Sequence, residues 1–288
     1  MSEMLLENCS GRSRLPMGRI GRGLPLVIAI HGGSYSSAYF DVPGYSLLDR
    51  AAANGVPIIA VDRPGYGATP PMPPADATIE GQAGRMIPDL AQLWDRFGGD
   101  SPGIVLIGHS IGAAIAATIA ASADGLPLIG LAMSGVGLRT PPAHRPMWEA
   151  LPDIPLVEMP PAIKDDVMFG PPGSFDAAKM PAASHIANAP APRAELVAIV
   201  SSWQDSVAAT LARIIVPVHY RQAEIDKLWI VDQSEVDGFA AALNGSPNVN
   251  AAMVPATGHC MDFHHIGATL QLQQLAFALQ CAVANRSL

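Results

Sequence analysis

The stretch Ile104-Val105-Leu106-Ile107-Gly108-His109-Ser110-Ile111-Gly112-Ala113 decides how this chain is read. Four consecutive branched apolar residues predict a buried strand, and the Ala- and Ile-rich run from Ala113 to Ser122 predicts a helix. Between them lies the pattern G-x-S-x-G, Gly108 to Gly112. So tight a strand-to-helix turn needs small residues beside the serine and strained dihedrals at it, which lift the hydroxyl above the sheet edge. The serine also falls at a helix N-terminus, where the macrodipole favours negative charge. A glycine-rich packing turn is the plain alternative. The flanking strand and helix favour Ser110 as a nucleophile.

Working outward, short apolar runs alternate with helical patterns, which predicts a mostly parallel sheet covered on both faces. Upstream, Leu5–Asn8 and Leu15–Ile20 suggest an opening antiparallel pair, and Pro25–Ile30 reads as a buried strand ending at His31-Gly32-Gly33. Gly44–Asn54 has a helical pattern with Leu47, Leu48, Ala51 and Ala52 inward, and Val56–Val61 is the next strand, running into Asp62-Arg63-Pro64-Gly65-Tyr66-Gly67. Thr78 caps a helix reaching Phe97, with Pro88 inside it. Downstream, Leu126–Met133 is a strand.

From Arg139 prolines crowd in, interleaved with Met147, Trp148, Met159, Met168 and Met180, and no strand pattern survives. Residues 139–211 therefore read as an inserted, mainly helical cap between two parts of one core, 1–138 and 212–288. The core resumes with a strand at Ile214–Tyr220, a helix at Ser234–Leu243 and a strand at Val249–Val254. A closing helix carries Leu272, Leu275, Ala276 and Leu279 on one face.

Composition bounds the function. Of 288 residues 49% are hydrophobic and 15% charged, enough for a large buried core. Seventeen basic against 25 acidic side chains give a net charge of −8, which argues against a nucleic-acid partner. Three cysteines without paired spacing fit a reducing compartment. The residues after Met1 lack a basic patch followed by an apolar run, and no apolar stretch approaches membrane-spanning length, so a cytoplasmic location and no membrane partner are expected. No zinc-type spacing and no phosphate-binding glycine loop occurs, so neither metal nor cofactor is expected. The oligomeric state is not legible.

A serine hydroxyl needs a base, and the base needs an orienting acid. His259, in Pro255-Ala256-Thr257-Gly258-His259-Cys260 after the Val249–Val254 strand, is the expected base. His31 and His109 sit beside glycine turns and read as backbone-positioning groups. His219 lies in a strand, His144 and His185 in the cap, and His264 and His265 as surface or capping groups before the last helix. The acid belongs in Arg221-Gln222-Ala223-Glu224-Ile225-Asp226, where Asp226 leads, Glu224 is the alternative and Asp62 is more remote. An oxyanion needs preorganised N–H donors. The amides of Ile111 and Gly33 are the candidates, with Ser34 behind Gly33.

These pieces together resemble the α/β-hydrolase superfamily, in particular its cap-containing serine esterases, across nearly the whole chain. The motifs are H-G-G-S at 31–34, D-R-P-G-Y-G at 62–67, G-H-S-I-G at 108–112, A-E-I-D at 223–226 and G-H at 258–259. The family frequently has glycine where this chain has Ala223. The resemblance implies the α/β-hydrolase fold, a cofactor-free mechanism and a site beneath a cap. Serine rather than aspartate at position 110 points to acyl chemistry on a small-molecule substrate. The expected activity is hydrolysis of a carboxylic ester of a small to medium apolar compound. The alternatives are a C–C bond hydrolase, thioesterase or acyl-transferring cyclase with the same three residues, or a non-catalytic small-molecule receptor.

Overall fold

The computed structural model describes residues 3–122 and 125–285. An antiparallel hairpin of β1 (Glu3–Leu6) and β2 (Cys9–Arg14) comes first, followed by β3 (Leu26–Ile30), α1 (Leu47–Ala53) and β4 (Ile58–Val61). Next are α2 (Ile79–Phe97), β5 (Ile104–His109), α3 (Ile111–Ser122) and β6 (Leu128–Ser134). The segment between β6 and the next strand of the main sheet holds α4 (His144–Glu149), β7 (Leu156–Val157), α5 (Pro161–Met168), β8 (Ala191–Pro192), α6 (Arg193–Val200) and α7 (Ser202–Leu211). The main pattern returns with β9 (Val218–Ala223), α8 (Gln233–Ala242), β10 (Val249–Val254) and α9 (Gly267–Ala284).

Eight strands form one sheet in the order β1-β2-β4-β3-β5-β6-β9-β10. From β4 to β10 every neighbouring pair is parallel, and only the opening hairpin and its junction with β4 are antiparallel. Strand alternation divides the core. Leu26, Ile28 and Ile30 of β3 join one apolar cluster with Leu106 and Leu131, while Val27 and Ala29 join the other with Val105 and Ala132. Both faces are covered by apolar packing, as a parallel sheet requires. Each fully buried Leu or Ile contributes about 1.5–3 kcal/mol of transfer free energy. No helix among the described residues is long and apolar enough to cross a membrane.

Several boundaries correct the sequence reading. The opening pair exists, but its second strand is Cys9–Arg14 rather than Leu15–Ile20. That strand is polar because its register beside β4 is set by close backbone approach, and a Cβ on Gly11 would overlap the carbonyl oxygen of Ala60. The strand expected at Ile214 begins at Val218 and runs on to Ala223, carrying the chain directly to the acid loop. The Pro-rich region does hold one strand pairing, Leu156–Val157 with Ala191–Pro192. In α9 the inward face is Leu270, Gln271, Gln274, Leu275, Ala278 and Cys281, while Leu272 is exposed. Gln271 faces inward because its amide donates to Tyr45 O and Asp262 Oδ1. A buried polar group is tolerable when it is bonded in this way. The expected inward Ala52 of α1 is also exposed, leaving Leu47, Leu48 and Ala51 as its buried residues.

Candidate active site

Ser110 stands between β5 and α3, on a central strand, with φ of 55°. That left-handed conformation is costly for a residue with a Cβ and persists only where its surroundings enforce it. Here the Ser110 N–H donates to Ser134 O at 2.8 Å, and its carbonyl accepts from Ala113 N at 2.8 Å. The two glycines serve close packing. A Cβ on Gly112 would overlap the carbonyl oxygens of Ile30 and His31, and one on Gly108 would lie 2.5 Å from Ala113 Cα.

At the carboxyl end of β10 the Nδ1–H of His259 donates to Asp226 Oδ2 at 2.8 Å, with both side chains essentially fully buried. Asp226 follows β9 and is held in turn: Gln222 Nε2 donates to Oδ2 at 3.1 Å and Leu228 N to Oδ1 at 2.9 Å. The opposite nitrogen, His259 Nε2, is buried with no hydrogen-bond partner, so it makes no hydrogen bond to Ser110 in this structure. Such bonds are commonly long before substrate binds and tighten in the reacting complex. Glu224 lies elsewhere. It is exposed, and its Oε2 accepts from the backbone N–H of Ala256, a residue at φ 53°. Asp62 is also remote from the imidazole, its oxygens accepting from Ser37 N at 2.8 Å and Ser10 Oγ at 2.7 Å.

Gly33, Ser110 and Ile111 line one cavity. Neither the Gly33 nor the Ile111 amide donates a backbone hydrogen bond among the described residues. Ile111 opens α3, and the first amides of a helix have no partner within it. Ser34 N, by contrast, is turned toward Tyr66 Oη at 3.4 Å. The cavity has a volume of about 450 Å³, and its walls are mainly apolar, with Met147, Trp148, Met159, Met168, Leu228 and Trp229 among the lining residues. Met180 instead is buried in the core.

Sequence reasoning missed what holds the Gly33 loop. Arg63 is fully buried against Glu195 of α6, Nη1 to Oε2 at 2.6 Å and Nη2 to Oε1 at 3.0 Å. Its Nε donates to His31 O at 2.9 Å and its Nη2 to Gly32 O at 3.1 Å. Gln82 and Tyr66 complete the carboxylate's shell, donating at 2.6 and 2.5 Å. Burial alone would lower the Arg63 pKa, yet the Glu195 carboxylate overrides it and the guanidinium stays charged. The Arg in D-R-P-G-Y-G was a visible signal. Its partner, 132 residues away within a Pro-rich segment, was not. Breaking a buried pair by removing one member costs about 3–5 kcal/mol. Glu195→Ala should therefore lose stability of that order in urea denaturation, and a loss below about 1 kcal/mol would contradict the buried-pair reading.

The other histidines have different surroundings. His31 Nδ1–H donates to Gly32 O at 2.8 Å while Nε2 accepts from Arg63 N at 3.2 Å, so the ring is neutral and positions backbone as expected. His109 stacks on Tyr39 with centroids 4.6 Å apart. His264 corrects the expectation of a surface group. It is buried, and its Nε2 accepts from Gly170 N and Gly258 N at 3.0 Å each, which fixes the His259 loop. His185 pairs with Asp165 at 2.9 Å, and His144 lines the cavity. Among the described residues no group of three or more His, Cys, Asp or Glu could hold a metal ion.

Burial pushes His31 and His219 down to about 3, with Arg63 and Arg221 respectively adding to the shift. An unfolded chain binds these protons at a pH near 6.5, whereas the folded chain does not until about 3. Stability is therefore whole above 6.5 and falls with pH below it, by up to about 2 kcal/mol per histidine at pH 5. Urea midpoints should be lower at pH 5 than at pH 7. A midpoint that rises would contradict neutral burial of these rings.

The comparisons with known proteins agree with this architecture. Residues 27–271 match the alpha/beta hydrolase family, and the chain belongs to it. Over 137 residues it is 31% identical to protein phosphatase methylesterase 1 of Pongo abelii, a match covering 47% of this chain and 34% of that protein. The chain thus spans about a third of the length of the curated relatives it matches. Among solved structures, a thermophilic esterase from Thermogutta terrifontis superposes with a TM-score of 0.64 at 19% identity, covering 95% of this chain and 94% of that one. A bromoperoxidase from Bacillus anthracis gives 0.67 at 14% identity, covering 94% and 95%. Neighbours with such different activities establish the fold alone.

Proposed function

We propose that this protein is a serine hydrolase that cleaves a carboxylic ester of a small to medium apolar compound through an acyl-enzyme. The observation that carries the reading is His259, locked by Asp226 on one nitrogen and unpartnered on the other, at the same sheet edge as a positive-φ serine that lines the cavity. His259 Nε2 takes the Ser110 proton as Oγ adds to the ester carbonyl carbon. The carbonyl π pair moves onto oxygen, which the N–H groups of Gly33 and Ile111 hold. Collapse of the adduct expels the alcohol, which carries away the proton from His259. Water then adds to the acyl-enzyme with His259 again as base, releasing the carboxylic acid and restoring Ser110.

Residues 139–211 serve as the cap in this reading. A cavity of about 450 Å³ lies within the usual range for small-molecule sites, and Met147, Met159 and Met168 give its wall adaptable thioethers. Similarity to a methylesterase over part of the chain also supports ester chemistry. The test is a stopped-flow assay with p-nitrophenyl esters of increasing acyl length. A burst of p-nitrophenol near one equivalent per chain is expected, and no burst with any chain length would count against the reading.

A further inference from the structure

Lys164 of α5 is a lysine that the chemistry above does not use. Its side chain is buried, with the residue only 2% exposed, yet it lines the same cavity as Gly33, Ser34, Ser110 and Ile111. Its ammonium donates to Ser34 O and to Asn188 Oδ1, the latter at 2.6 Å, and lies 3.3 Å from the centroid of the Tyr35 ring. Among the described residues it has no carboxylate partner. Asp165, its chain neighbour, is bonded to His185 and favours the Lys164 charge through space rather than by a direct ion pair. The Cys260 thiol is pushed up to about 12 by burial, and burial also holds the Tyr35 phenol well above its ordinary value, so neither supplies an anion at neutral pH.

Gly33 therefore sits between two carbonyls, each held by a buried cation. Arg63 holds Gly32 O at 3.1 Å, and Lys164 holds Ser34 O together with Ala189 N. The two cations differ in one respect. The charge of Arg63 is neutralised by a direct ion pair with Glu195, whereas Lys164 makes no ion pair among the described residues, and the neighbouring Asp165 carboxylate acts on it only through space. In a low-dielectric site an unpaired charge acts strongly on any charge that develops nearby.

Resting on the functional reading above, we propose that Lys164 is a positioning residue for the oxyanion site. From α5 it fixes the Ser34 carbonyl, and its unpaired charge favours the negative oxygen forming at the Gly33 amide. Burial lowers its pKa to about 7 against the raising influence of Asp165, so the charged form is about half populated at pH 7 and prevails below it.

The experiment compares wild type, Lys164→Met and Lys164→Gln, with Ser110→Ala as the control. Met keeps the length and apolar stem of lysine in the buried site. Gln keeps a hydrogen-bond donor for Ser34 O but removes the charge. Removal of a direct oxyanion donor costs about 10²–10³ in turnover, so an indirect contributor should cost about 10–100-fold in kcat, with KM within about threefold. The second readout is affinity for an apolar trifluoromethyl ketone, which forms a tetrahedral oxyanion with the serine, against affinity for the matching neutral amide. Ketone affinity should fall in parallel with kcat in both variants while amide affinity holds. Unchanged kcat and ketone affinity, or equal losses for ketone and amide, would overturn the inference. Retained turnover in Ser110→Ala would overturn the functional reading instead, and the inference with it.

Discussion

Ser110→Ala should abolish ester turnover, lowering kcat by about 10⁴-fold or more, as expected when a covalent nucleophile working as one unit with its base is removed. The substitution deletes one oxygen and leaves the elbow intact, because that turn is held by the Ser110 N–H to Ser134 O and by the Gly108 and Gly112 contacts rather than by the hydroxyl. Substrate affinity should be retained, since the apolar wall of the cavity is untouched. Steady-state kinetics on the best p-nitrophenyl ester, with thermal unfolding as a control for folding, check this. Turnover within tenfold of wild type in a folded protein would remove Ser110 from the chemistry.

Asp226→Asn should cost about 10³–10⁴-fold in kcat, because an amide in place of the carboxylate stabilises the wrong imidazole tautomer. The geometry gives this prediction its contrast. Asp226 Oδ2 takes the His259 Nδ1–H at 2.8 Å and Oδ1 takes Leu228 N at 2.9 Å, so the carboxylate is fixed in place and its charge is directed at the ring. Glu224, two residues earlier, spends its carboxylate on the Ala256 amide at the surface. Glu224→Gln should therefore leave kcat within about threefold of wild type, the usual small effect of a surface substitution. Comparing the two variants on one substrate checks the assignment, and a larger loss in Glu224→Gln would reverse it.

The sequence made the fold legible wherever hydrophobic period and turn chemistry agreed. Ile104–Ile107 running into Gly108-His109-Ser110 is a strand and an elbow because nothing else accommodates that apolar run and those glycines. The same logic brought Asp226 and His259 to the ends of two later strands, and the structure sets them 2.8 Å apart. Signals failed where polar residues were buried or distant partners decided the outcome. Cys9–Arg14 has no apolar alternation, and Gln271 and Gln274 of α9 face inward against their type. His264 reads as a surface group in the sequence because Gly170, far away in the chain, and Gly258 bury it only in the folded protein. Lys164 and Glu195 lie in a stretch without periodicity, so their pairings with Ser34 and Arg63 required the folded chain.

The most direct measurement is intact-mass analysis of the protein after treatment with an alkyl fluorophosphonate, followed by peptide mapping. One adduct per chain is expected, on the peptide carrying Ser110, with none on Ser110→Ala and greatly slowed labelling of His259→Ala. An unlabelled native protein, or an adduct on another serine such as Ser34, would contradict the proposal that this sheet edge holds an activated nucleophile.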